Sequence, residues 1–167
     1  MARKLRKNGR VTGRWAILAG LATLCWSAAP SAAACEAPAV EVNVNGVRSN
    51  TGLVAALIYD DNPDTFLKNG QKLHRVREPA RKGHTRVCLP SPAPGVYAVA
   101  VFHDENANKK LDQGFLGIPE EGYGFSNNPG FSFGLPEMKE ILFEINGDRT
   151  EISVDLRYLI DTTTPGE

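Results

Sequence analysis

The sequence predicts an all-β domain: an antiparallel two-sheet sandwich of about seven strands, with one long ordered loop and at most a short helix. Three observations predict it. Apolar residues alternate with polar ones over 40–45 and 152–158, which is the period of a strand buried on one face. Two other runs, 53–60 and 95–103, are apolar on both faces, as strands in a sheet interior are. Turn-forming residues separate these runs, and almost nothing in the chain reads as helix. Strands joined by turns pack as two facing sheets.

Positions 1–34 read as a secretory signal rather than as part of the fold. Arg3, Lys4, Arg6, Lys7, Arg10 and Arg14 come first with no acid among them, an apolar run fills 15–26, and SAAPSAAA follows. That is the three-part pattern of a cleaved leader. The apolar run is short for a span of about 30 Å of hydrocarbon, so a membrane anchor is the weaker alternative. Cleavage after Ala34 leaves 35–167 as a single domain with no transmembrane segment. The full chain has 19 basic and 19 acidic residues, and this domain keeps 13 and 19 of them, a net charge of −6. A net acidic domain repels phosphate backbones, which excludes nucleic acid as an expected partner. Cys35 and Cys88 remain after the leader, and an exported chain with two cysteines invites one disulfide. The competing use of Cys35 is lipidation, since Ala32-Ala33-Ala34-Cys35 approximates a lipoprotein cleavage box. The expected locations are therefore periplasmic or secreted, or lipid-anchored through Cys35.

Each element has its own signal. Val40, Val42 and Val44 alternate with Glu41, Asn43 and Asn45; with 53–60 they predict a hairpin across the turn-rich 48–52. Residues 62–70 predict one helical turn, capped by Asn62 or Asp64 and stopped by Gly70. The basic stretch 72–86, with His74 and His84, predicts a solvated loop and an edge strand, where cations discourage edge-to-edge pairing. Residues 86–89 predict a short strand closed by the prolines of 90–94. Residues 95–103 predict the central strand. Ile141, Phe143 and Ile145 then predict one arm of a last hairpin, and Ile152, Val154, Leu156 and Tyr158 the other. Asn146-Gly147 would supply the tight turn between them.

The segment between Phe102 and Met138 has little periodicity, and loops of that length are usually functional or disordered. This one carries Phe115, Leu116, Ile118, Tyr123, Phe125, Phe131 and Phe133 among six glycines. So many apolar side chains predict an ordered loop packed on the end of the sandwich.

Residues 103–128, HDENANKKLDQGFLGIPEEGYGFSNN after GVYAVAVF, resemble a bacterial family of exported domains of unknown function. The family's pattern runs HD-x-N-x-N-x-K-L-D, then GFLGIP-x-EGYGFSNN. The resemblance spans nearly all of 35–167 in layout and is most specific over 95–128. It implies export and a transthyretin-like (prealbumin-like) β-sandwich, and it supplies no activity. Ala107 and Lys109 depart from the pattern, where glycines are common.

The run HDENANKKLD has two readings. In a calcium loop, Asp104, Asn106, Asn108, the Lys110 carbonyl and Asp112 would be ligands in register. Lys109 then replaces the glycine at the sharp turn, and Phe115 stands where a bidentate carboxylate belongs, so at most a weak site is expected, with Glu120 or Glu121 swinging in. In the other reading the same residues form Asx turns that satisfy backbone amides without an ion. Calcium is the one cofactor the pattern admits. His103 is either a ligand or base, or a strand-end histidine satisfied by a neighbouring carboxylate. Zinc would need two more ligands, with His74 and His84 of unknown placement.

No P-loop, H-E-x-x-H, C-x-x-C or G-x-S-x-G is present; GFSNN departs from the last at its final position. The expected function is a non-catalytic exported binding or accessory module whose partner is an envelope protein or glycan. Its contact residues would be His103, Phe115, Tyr123, Phe125 and Asn127. The alternative is a hydrolase of envelope polymers using His103, Asp104 and Asp112, or a carboxylate pair of Asp104 with Glu120 or Glu121. The module requires Tyr123 and Phe125 to be partly exposed; the hydrolase requires a cleft containing His103. A third reading makes the loop only a lid with its aromatics buried.

Overall fold

A computed structural model describes residues 35–130 and 134–160. The predicted leader, 1–34, and the loop residues Phe131 and Phe133 lie outside the described residues. Among the described residues eight strands form two sheets: β1 (Ala39–Val47), β2 (Leu53–Asp60), β3 (His74–Pro79), β4 (Gly83–Pro90), β5 (Gly95–Asp104), β6 (Tyr123–Phe125), β7 (Leu142–Ile145) and β8 (Arg149–Asp155). A three-stranded sheet runs β4-β1-β8 and a five-stranded sheet runs β3-β2-β5-β6, with β7 on the same side of β5 as a further partner.

Two predicted hairpins are not hairpins. β1 pairs with β4 and β8, while β2 pairs with β3 and β5. The turn at 48–52 therefore steps from one sheet to the other. β7 pairs with β5 in the five-stranded sheet and β8 pairs with β1 in the three-stranded one, so Asn146-Gly147 also steps between sheets, and neither residue adopts positive φ. This second step makes β8 run parallel to β1, the one parallel pair among the described strands. Alternation reports which face of a strand is buried and carries no information on its neighbour. Ile141 departs as well: it ends the short helix α1 (Met138–Ile141) and packs on the opposite side of the sheet from Ile145. Residues 62–70 make a single turn, with the Phe66 amide on the Asn62 carbonyl at 3.2 Å and the Asn62 side chain accepting the Asp64 amide at 2.9 Å; further turns follow, with Leu67 and Gly70 at positive φ.

The core between the sheets is built from the alternating residues. It contains Val40, Val42 and Val44, Ala56 and Ile58, Val87 and Leu89, Val99 and Val101, and Val154. A second cluster covers the outer face of the five-stranded sheet: Ala55, Leu57, Tyr59, Ala98, Ala100, Phe102, Phe125 and Ile141. Phe66 and Leu111 from the connecting segments and Tyr123 of β6 pack on it. This is why β2 and β5 are apolar on both faces. Cys35 and Cys88 are joined with a Cα–Cα distance of 5.6 Å. The crosslink closes a loop with a sequence separation of 53, worth about 4 kcal/mol by the chain-entropy argument. Among the described residues no helix is long and apolar enough to cross a membrane.

Candidate functional site

The site region begins where β5 ends. His103 is fully buried at 0% exposure. Its Nε2 lies 2.8 Å from the Thr51 carbonyl oxygen and its Nδ1 lies 2.8 Å from the Tyr158 hydroxyl. A carbonyl only accepts, so Nε2 carries a proton; with the imidazole neutral, the Tyr158 hydroxyl is then the donor to Nδ1. That hydroxyl also accepts the Arg48 amide at 3.1 Å, and burial holds its phenol above the usual 10.0. Arg48 stacks over the Tyr158 ring at 4.4 Å from its centre and pairs with Glu105. The Arg48 hydrogen bonds hold the Glu105 carboxyl below its ordinary range. Gly52, at φ +75, is needed beside this network, because a Cβ there would run into the Asp104 carbonyl and the Glu105 backbone.

The run HDENANKKLD is folded around its own side chains. Asp104 is fully buried, and its two oxygens accept the amides of Asn108 at 2.9 Å and Lys109 at 2.8 Å. Asn106 Oδ1 accepts the Asn108 amide, and Asn108 Oδ1 accepts the Lys110 amide. Asp112 accepts from the side-chain amides of Asn106 and Asn108. Ala107 and Lys109 both sit at positive φ, 57° and 72°, a conformation that favours glycine. Every side-chain oxygen of Asp104, Asn106, Asn108 and Asp112 thus already accepts a hydrogen bond, and those of the first three accept from backbone amides. The loop is thus shaped by Asx-type bonds to its own backbone, and each of these oxygens keeps a second lone pair. Lys110 is exposed.

Glu121 fastens this loop from below. It is 4% exposed, and its carboxylate accepts the amides of Glu105 at 2.8 Å and Asp112 at 3.0 Å. Burial pushes its carboxyl above the ordinary range, with Asp112 and Asp104 adding to the shift against the pull of the two amides. Glu121 does come to the loop, then, and it comes to bind backbone. An open pocket of about 250 Å³ lies alongside, lined by Arg48, Glu105, Asn106, Asp112, Glu120 and Glu121. Neither His103 nor Asp104 lines it.

A knuckle projects from the pocket's edge. Gln113 and Pro119 form a bridge, Gly114 donates its amide to the Ile118 carbonyl at 2.9 Å, and Glu120 donates to the Asp112 carbonyl at 3.0 Å. These bonds hold a 3-10 turn, Phe115–Gly117, at the tip. Phe115 is 88% exposed and Leu116 81% exposed, with Ile118 exposed beside them. Leu116 adopts φ 64° and ψ 18°, followed by Gly117 at φ 72°. Two successive left-handed residues suit Asn-Gly, and a leucine there carries strain of about 1 kcal/mol or more.

GYGFSNN forms β6 and the turn after it, and it closes the sandwich. Gly122 lies against the Tyr158 ring and Gly124 against the Asp155 carbonyl. Tyr123 exchanges backbone hydrogen bonds with Arg157 at 3.0 and 2.8 Å. Phe125 is 8% exposed and packs on Phe66. Asn127 and Asn128 are both at positive φ; Asn127 donates to the Leu142 carbonyl at 2.6 Å and Asn128 accepts the Asp155 amide at 2.8 Å.

The predicted contact residues therefore divide. Phe115 is displayed, Tyr123 is half-buried, Phe125 and His103 are buried, and the Asn127 side-chain amide is engaged by backbone. Loop residues Phe125 and Tyr123 act as the lid, and the knuckle does not. His74 is exposed on β3, and His84 lies 3.1 Å from Asn43 Oδ1, so neither joins His103. Sequence reasoning missed Thr51, Arg48 and Tyr158, which reach the site from distant segments. It also left Leu116 among the packed aromatics, although Leu-Gly at a tight turn was a readable anomaly.

A family model described as "Uncharacterized protein conserved in bacteria (DUF2141)" matches residues 42–153. No curated protein and no solved structure matches the chain.

Proposed function

The chain belongs to the bacterial family DUF2141, and on that footing we propose that it is an exported, non-catalytic accessory module that docks on another protein of the cell envelope through its 113–119 knuckle. One observation carries this reading: Phe115 and Leu116 stand almost wholly in solvent on a hydrogen-bonded support, with Leu116 in a strained backbone conformation. Burying each against a partner would contribute about 1.5–3 kcal/mol, and a preformed tip loses little freedom on binding. Strained backbone persists where the surroundings impose it, and such positions cluster at functional sites.

Export is supported by the Cys35–Cys88 bond, which belongs to an oxidising compartment, and by the leader pattern of 1–34. The bond also occupies the sulfur that a lipid anchor would need, which favours a periplasmic or secreted protein. We read the sandwich as transthyretin-like. A hydrolase using His103, Asp104 and Asp112 has less support, because the polar side-chain atoms of all three are engaged by the protein itself.

The test is photo-crosslinking in cells that export the protein, with a benzoylphenylalanine at position 115 and, as control, at the exposed position 159. A discrete protein adduct from 115 alone, lost when Leu116 is changed to Ser, is expected. Adducts of equal pattern from both positions, or none from 115, overturn the reading.

A further inference from the structure

The face around the knuckle indicates what kind of surface receives it. Beneath the tip lies the open pocket of about 250 Å³ with four carboxylates, Glu105, Asp112, Glu120 and Glu121, against one cation, Arg48. Arg48 is already paired with Glu105 and stacked on Tyr158. Glu120 is exposed at the foot of the knuckle, beside Gly114. Burial raises the Glu121 carboxyl above the ordinary range, and the nearby charges of Asp112 and Asp104 add to that rise.

From these observations we propose that the knuckle's partner is a protein socket that is apolar at its floor and rimmed by lysine or arginine. Phe115 and Leu116 fill the floor, and the rim lies over the carboxylates at the knuckle's base. The inference rests on the docking reading above and deepens it. Complementary charge around an apolar contact selects the partner and speeds encounter more than it adds affinity. The same charge disfavours the other occupants. An anionic lipid surface attracts basic segments, whereas the tip stands on acids and residues 35–167 hold 13 basic against 19 acidic residues. A bare divalent cation wants several oxygens converging on one point, whereas Glu121 is 4% exposed and Glu105 is paired with Arg48. Cations at the end of flexible stems need only approach the exposed Glu120.

The experiment uses residues 35–167 with the disulfide formed, passed over immobilised synthetic peptides carrying a Leu-Leu or Phe-Leu pair. The pair is flanked by Lys/Arg, by Glu or by Ser; phosphatidylglycerol vesicles form a separate arm. Retention on the Lys/Arg-flanked set is expected, at least tenfold above the Glu-flanked set. It should fall about tenfold with Glu120→Lys, threefold or more with Glu120→Gln, and by a similar factor between 50 and 500 mM salt. Phe115→Ser should abolish it, with the melting temperature of each variant within two degrees of the parent as evidence of folding. Equal retention on Lys/Arg- and Ser-flanked peptides overturns this inference and leaves the docking reading standing, since the contact would then be apolar without charge selection. Binding to vesicles alone, or retention on none of the peptides, also overturns it, and the crosslink from position 115 then decides the docking reading separately.

Discussion

The hydroxyl of Tyr158 lies 2.8 Å from Nδ1 of His103, across 55 residues of sequence. One hydroxyl there satisfies a buried imidazole and the Arg48 amide together. Tyr158→Phe leaves both groups without that partner, and the expected loss is about 1–3 kcal/mol. Urea unfolding measures it. A loss well below that range, under about 0.5 kcal/mol, would show that the network does not hold this end of the sandwich.

Leu116→Asn separates folding from docking. Asparagine tolerates the left-handed backbone that leucine occupies here. The variant is expected to be as stable as the parent or up to about 1 kcal/mol more stable, while losing the crosslink from position 115. A variant destabilised by more than about 1 kcal/mol would mean that Leu116 packs within the fold.

Glu105 makes stability depend on acid. Its folded carboxyl lies below the ordinary 4.5, first because of the Arg48 hydrogen bonds. The stabilisation is therefore complete above pH 4.5 and is lost as pH falls through the lower folded value. Glu121 has the opposite sign: its raised carboxyl makes a contribution that is full below 4.5 and fades as pH climbs past its folded value. Melting temperature recorded between pH 3 and 7 is expected to drop on the acid side, and Glu105→Gln is expected to flatten that limb. A parallel limb in the variant would assign the acid sensitivity elsewhere.

Calcium at 5 mM, against an equal concentration of chelator, is expected to move the melting temperature by less than about one degree. Ligands that bind the native state raise stability by mass action, and the run has only Asp104 and Asp112 as carboxylates in register, with Phe115 where a tight calcium loop has its bidentate acid. A rise of several degrees that disappears in Asp112→Asn would restore a cation to the loop.

The strands were legible because burial writes itself into alternation, and β5 was the plainest, with both faces apolar. Partnership between strands was not legible. Nothing within residues 40–60 or 141–158 states that the chain changes sheet at 48–52 and again at 146–147. The Asx character of 104–112 was readable from residue type. The role of Glu121 was not, since binding two amides depends on where the loop returns. The lid and the tip of the long loop share one composition, so aromatic content did not separate Phe125 from Phe115. Exposure separates them, 88% for Phe115 and 8% for Phe125, and it follows from where the chain folds back on itself, which residue types alone do not state.

Because β1 starts at Ala39 opposite Arg149 and β5 finishes at Asp104 opposite Leu53, Cys35 and the foot of the knuckle occupy opposite poles, roughly 30 Å apart at strand rise per residue. Any handle fused ahead of Cys35, such as a bead, a fluorophore or a cantilever, would leave the Phe115–Leu116 tip facing outward and unobstructed.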